Sequence, residues 1–124
     1  MVGLTTIALL ERKPTVSRPL FSRYWRDVHG VMAARIPGFQ SYTQYHVTPM
    51  ADGIMPFEGI AIVTFAHPED AAGLTTSEVI RHIHRDERNL FRRALLYTLA
   101  PGADRVVQEA IDEGGETVFH IVPA

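Results

Sequence analysis

Apolar residues change their spacing several times along this chain, and each change marks an element. LTTIALLERK, residues 4–13, is a compact β-branched run that ends in charge, which predicts a strand. Pro14 and Ser17 interrupt it, Ser17 being suited to cap a helix and Pro19 to stand in its first turn. From residue 18 to 35, Phe21, Trp25, Val28 and Met32 recur at helical spacing and predict a core-facing amphipathic helix, stopped by Pro37-Gly38. FQSYTQYHV, 39–47, has no helical stripe. As a strand it presents Phe39, Ser41, Thr43, Tyr45 and Val47 on one face and Gln40, Tyr42, Gln44 and His46 on the other.

After the loop TPMADGIMP comes the strongest strand, FEGIAIVTF at 57–65, which invites a hairpin with its predecessor. A second helix is predicted from the N-cap Ser77 towards Leu99, with Val79, Ile83, Leu90, Phe91 and Ala94 on its apolar face. A short helix over 103–112, a Gly114-Gly115 turn and a last strand over 116–123 complete the reading. ALLYTLA, 94–100, is the alternative fourth strand. The order is βαββαβ with an insertion before the final strand. It predicts one α+β domain over 1–124, with two helices on one face of a four-stranded antiparallel sheet, the ferredoxin-like arrangement. Apolar residues on both faces of 57–65 leave the second sheet face in need of a partner, and a homodimer supplies one.

Composition narrows the chemistry. The net charge of −2 and arginines interleaved with acids, as in RHIHRDERN, exclude the basic stripe of a nucleic-acid binder. The absence of cysteine removes disulfides and thiolate nucleophiles. LTTIALL is too short to span a bilayer and lacks the flanks of a signal peptide, so a cytosolic protein is the expectation.

His29 lies about 70° from the centre of the Phe21–Trp25–Val28–Met32 stripe. There it would look along the helix–sheet boundary, either bonding a backbone carbonyl or moving a proton. Tyr42 and His46 share a strand face about 13 Å apart. Tyr42 could stabilise a developing oxyanion, or stand as a half-buried strand tyrosine. On a helix running from 77 to 99, Glu87 falls on the apolar face. A buried carboxylate there must meet an arginine, face a pocket or mark a break in the helix. His82 and His84 diverge by about 160° on a helix and cannot share a metal ion. No nucleophile-elbow motif is present.

These residues carry a likeness. ERKP at 11–14, FSRYWRDVHGVMAARIPGFQSY at 21–42, FEGIAIVTF at 57–65 and DERNLF at 86–91 resemble the EthD-like proteins of the dimeric α+β barrel group. The resemblance implies a homodimer whose sheets pack face to face, with a pocket between helices and sheet in each subunit. It also implies cofactor-free acid/base chemistry, as in the muconolactone methylisomerases and polyketide dehydratases or cyclases of the group. His29 matches the histidine proposed as acid/base in the isomerase-like relatives. The resulting expectation is a lyase or isomerase acting on a small cyclic aromatic, lactone or polyketide-like substrate. Its catalytic residues would be His29, Tyr42 and Glu87, and its pocket wall Tyr24, Trp25, His46, His84 and Phe91, without metal or cofactor. A helper protein that binds a small molecule and a cofactor-free monooxygenase are the alternatives. Residues 92–115 have no counterpart in the family pattern.

Overall fold

The β-branched run at the start forms β1, Leu4–Arg12, and occupies the middle of a four-stranded antiparallel sheet ordered β2-β3-β1-β4. β2 spans Ser41–His46, β3 Phe57–Phe65 and β4 Phe91–Thr98. A computed structural model describes residues 3–48, 56–99, 119 and 121. β1 pairs with β3 from Leu4↔Phe65 to Glu11↔Phe57, and β2 and β3 form the expected hairpin partners, Ser41↔Thr64 to His46↔Gly59.

The first helical region is a single run of three parts: α1, Arg18–Tyr24, a π-helical turn over Trp25–His29, and α2, Gly30–Ala33. Ser17 caps it, its Oγ accepting from the Leu20 amide, with a proline in the first turn. After β3 come a 3₁₀ turn over Pro68–Ala72 and the short α3, Gly73–Thr76. The main second helix, α4, spans Glu78–Leu90 and is capped by Ser77. The helices lie on one face of the sheet, which makes the fold α+β and ferredoxin-like. Phe21, Trp25, Leu90 and Phe91 pack on Leu10 at one end, and Ala33, Ile36, Ile80 and Ile83 form a second cluster at the other.

Two expectations are corrected here. α4 does not run to Leu99: it stops at Leu90, and Phe91 is already in extended backbone. The fourth strand is therefore β4, close to the alternative 94–100 and directly after the helix, with no insertion before it. Phe91 and Ala94 continue the helical spacing of Ile83 and Leu90, and FRRALLYT shows no strict period-two alternation to oppose it. Pairing with β1 from Thr6↔Thr98 to Arg12↔Phe91 decides between the two readings. A bulge at Arg92 lets Glu11 form ion pairs with both Arg92 and Arg93, each with N–O at 3.3 Å. The expected helix at 103–112 and the Gly114-Gly115 turn lie outside the described residues. Of the expected strand 116–123 only Phe119 and Ile121 are described, neither of them in a strand.

Candidate functional site

The π turn sets the phase of everything that follows. In a straight α-helix the stripe that starts at Phe21 and Trp25 continues through Val28 and Met32. Here the amide of Gly30 reaches back five residues to the Trp25 carbonyl, and the wider turn carries the buried face onto His29 and Ala33 instead. Val28 is accordingly 42% exposed, while His29 is 5% exposed and fully part of the packed face. Gly30 is required at this step. A Cβ there would stand 2.3 Å from Gln44 Nε2 and 2.8 Å from the Trp25 carbonyl oxygen, in the space through which Gln44 donates to that same carbonyl at 3.1 Å.

Turned inward, His29 meets α4. Its Nδ1 is 2.8 Å from Asp86 Oδ2, and its ring stands edge-on to Phe91 with centroids 5.3 Å apart. The other carboxylate oxygen of Asp86 accepts from the Tyr24 hydroxyl at 2.5 Å and from Asn89 Nδ2 at 3.4 Å. Burial by itself would push the Asp86 carboxyl up, but the hydrogen bonds from Tyr24, His29 and Asn89, with the charge of His29, outweigh it and hold the group below its ordinary value. Tyr24 moves the opposite way: its hydrogen bond to Asp86, then burial, lift its phenol above the usual 10. Asp86 is thus ionised and acceptor-only. Nδ1 of a neutral His29 therefore carries the proton, leaving Nε2 as the basic lone pair. Nε2 has no hydrogen-bond partner among the described residues.

The pair borders an uncovered part of the sheet. Ala94 and Leu96 sit opposite Leu10 and Ala8, which belong to the helix-side cluster, so they share its face. Both are nevertheless exposed, Leu96 by 65%. The inner face of β4 thus runs from Phe91, against the His29 ring, into the small and apolar, solvent-exposed positions Ala94 and Leu96. The hollow lined by Glu11, Pro56, Arg92 and Arg93 opens beside the opposite face and has none of these groups.

The other expected residues divide between this site and other surroundings. Tyr24, Trp25 and Phe91 belong with His29, although Tyr24 acts as Asp86's donor and Trp25 as buried core. His46 packs against Trp25 with the rings tilted and their centroids 4.6 Å apart, and forms a second chain: Ser22 Oγ to its Nδ1 at 2.8 Å, and Gln44 Oε1 to its Nε2 at 3.0 Å. Desolvation, then the nearby charge of Arg26, lowers its pKa. Gln44 also donates to the Tyr42 hydroxyl at 2.9 Å. Tyr42 packs in the Ala33–Ile36–Ile80–Ile83 cluster, where desolvation raises its pKa, and no hydrogen bond or ring contact joins it to His29.

Glu87 is not on the buried face. It lies at the surface with His84, 3.4 Å away, and both stand apart from His29. The buried acid is its neighbour Asp86. Counting Phe91 and Ala94 as helical rotates the apparent apolar face towards 87. With the helix ended at Leu90, the face is Ile80, Ile83, Asp86 and Leu90. Asp86 and Gln44 are the residues that sequence reasoning missed. Among the described residues no group of three or more His, Asp or Glu could hold a metal ion, and no helix is long and apolar enough to cross a membrane.

A ferredoxin-like α+β domain with a carboxylate-held histidine between helices and sheet defines the class. The EthD domain model matches residues 13–94, and the chain belongs to that family. Solved structures share the fold at low identity. An EthD family protein from Bacillus halodurans is 15% identical, covering 79% of this chain and 97% of its own, with a TM-score of 0.66. A dimeric ferredoxin-like protein of unknown function from Thermobifida fusca is 15% identical over 80% of this chain and 91% of its own, TM-score 0.65. SnoaB, a cofactor-independent oxygenase from Streptomyces nogalater, is 14% identical over 88% of this chain and 100% of its own, TM-score 0.60. No curated protein matches the chain in sequence.

Proposed function

We propose that this chain is a cofactor-free acid/base enzyme, a lyase or isomerase, in which His29 moves a proton next to a carbonyl of a small cyclic, largely apolar substrate. The observation that carries this reading is the buried Asp86–His29 pair beside the uncovered inner face of β4. A carboxylate on Nδ1 fixes the tautomer and stabilises the imidazolium formed when Nε2 accepts a proton. Removing a proton from a carbon next to the carbonyl leaves an enolate. Returning that proton to a different carbon gives an isomerisation, and returning it to a departing hydroxyl releases water in a dehydration. Phe91, Ala94 and Leu96 offer the substrate an apolar floor and exclude water from the developing charge. Tyr42, the expected oxyanion donor, stands on β2 at the opposite edge of the sheet from β4 and takes no part in this step. The same reading includes a homodimer formed through the sheet face opposite α1 and α4.

Replacing His29 by Ala is expected to reduce turnover of a cyclic carbonyl substrate by at least about 100-fold while the fold is retained. An unchanged rate contradicts the assignment.

A second reading is a cofactor-free oxygenase, in which the same deprotonation precedes reaction of the carbanion with dioxygen. The likeness in fold to SnoaB favours carrying it. Turnover that depends on dissolved oxygen selects this reading, and turnover that proceeds anaerobically selects the first. Recovery of a bound ligand chemically unaltered points instead to a binding or helper protein.

A further inference from the structure

The sheet face on which no described helix packs is covered at its centre by residues from beyond the family domain. Leu9, Phe57 and Ile60 are 7%, 4% and 2% exposed although no helix among the described residues lies over them. Phe119 and Ile121 pack into that cluster, with the Phe119 ring edge-on to Tyr45, centroids 4.9 Å apart. The EthD match ends at residue 94, so these two side chains are additional to the shared domain.

Two sheets that pack face to face stand about 10 Å apart, and their side chains interdigitate in that layer. A ring seated on Tyr45 occupies the same layer. The centre of the face therefore accommodates Phe119 and Ile121 or the side chains of a second sheet, not both sets.

We propose that Phe119 and Ile121 hold the surface by which a second copy of this chain pairs, so that self-association proceeds by displacing them. This rests on the homodimer reading given above. The occupant is inferred to be a second copy because the surface under Phe119 and Ile121 is a broad apolar cluster, Leu9, Phe57 and Ile60 with Ile7, Ile62 and Leu95 around them. At its charged end Glu11 is already paired with Arg92 and Arg93, and Arg93 lies over the Phe57 ring at 5.3 Å. Around that cluster the face carries Tyr97, 53% exposed on the edge strand β4, and the uncharged Ser41 and Thr43 on β2. A two-fold pairing brings an identical apolar surface from the other copy, and burying it is the main favourable term in association.

Sedimentation equilibrium over a concentration series tests this on the chain 1–124. In a Phe119→Ser, Ile121→Ser variant the dimer is expected to tighten at least tenfold, with the circular dichroism spectrum of the fold retained. A dimer of equal or weaker affinity overturns the displacement while leaving the homodimer reading intact. Monomers from both proteins at every concentration overturn the homodimer reading, and this inference with it. Ile121→Ser alone is expected to move the constant in the same direction by a smaller factor.

Discussion

Asp86 Oδ2 and His29 Nδ1 lie 2.8 Å apart between side chains only 8% and 6% exposed, joining α4 to the π turn of the first helical region. A buried pair of this kind is costly to break on one side, because the partner is left without its hydrogen bond. Asp86→Asn keeps the shape but removes the charge. It is expected to lower stability at pH 7 by about 1–3 kcal/mol, read from urea denaturation midpoints.

The acid limb of the stability curve carries the same signature. The folded-state pKa of Asp86 is depressed below its ordinary 3.8, so its contribution is complete above that value and is lost as pH falls through the lower folded one. The advantage of the unsubstituted chain over Asp86→Asn is therefore expected to be constant from pH 7 to about 5 and to shrink below about pH 4. An advantage that persists undiminished at pH 2 would contradict an ionised, hydrogen-bonded Asp86.

His46 titrates in a separate window. Its pKa is lowered from 6.5, mainly by desolvation, so it favours the folded chain in its neutral form. That contribution is present above pH 6.5 and falls away as pH drops through the folded value. His46→Gln should remove this part of the pH dependence, visible as a smaller change in thermal midpoint between pH 7 and pH 5.

Gly30 provides a test in which the ordinary rule changes sign. Inside a helix, Gly→Ala usually stabilises by about 0.5–1 kcal/mol. At residue 30 the new methyl group would stand 2.8 Å from the Trp25 carbonyl oxygen and 2.3 Å from Gln44 Nε2. Gly30→Ala is therefore expected to destabilise by about 1–3 kcal/mol. Adding Gln44→Ala should recover part of the loss, because the flexible amide can be removed whereas the carbonyl cannot.

The fold was legible because its signals are local and consistent. The 57–65 strand matches its expected bounds, the Ser17 and Ser77 caps hold, and Pro37-Gly38 follows the first helical region as expected. The site was less legible because two of its determinants are not carried by spacing alone. The π turn adds a residue per turn where periodicity assumes 3.6, exchanging Val28 for His29 on the buried face. The end of α4 at Leu90 is fixed by strand pairing with β1, a contact more than 75 residues away in sequence at Thr6↔Thr98, so the reading over 77–99 placed Glu87 where Asp86 belongs. The family likeness pointed to His29 but to neither of these.

The central claim is that His29 is held by Asp86 as a base with its lone pair on Nε2. Nitrogen-15 NMR of the histidine rings reports this directly, since protonated and unprotonated ring nitrogens are well separated in chemical shift. For the neutral ring of His29 the account predicts a protonated Nδ1 and a bare Nε2, with the preference weakened in Asp86→Asn. A neutral His29 protonated on Nε2, or a tautomer indifferent to Asp86→Asn, would contradict it.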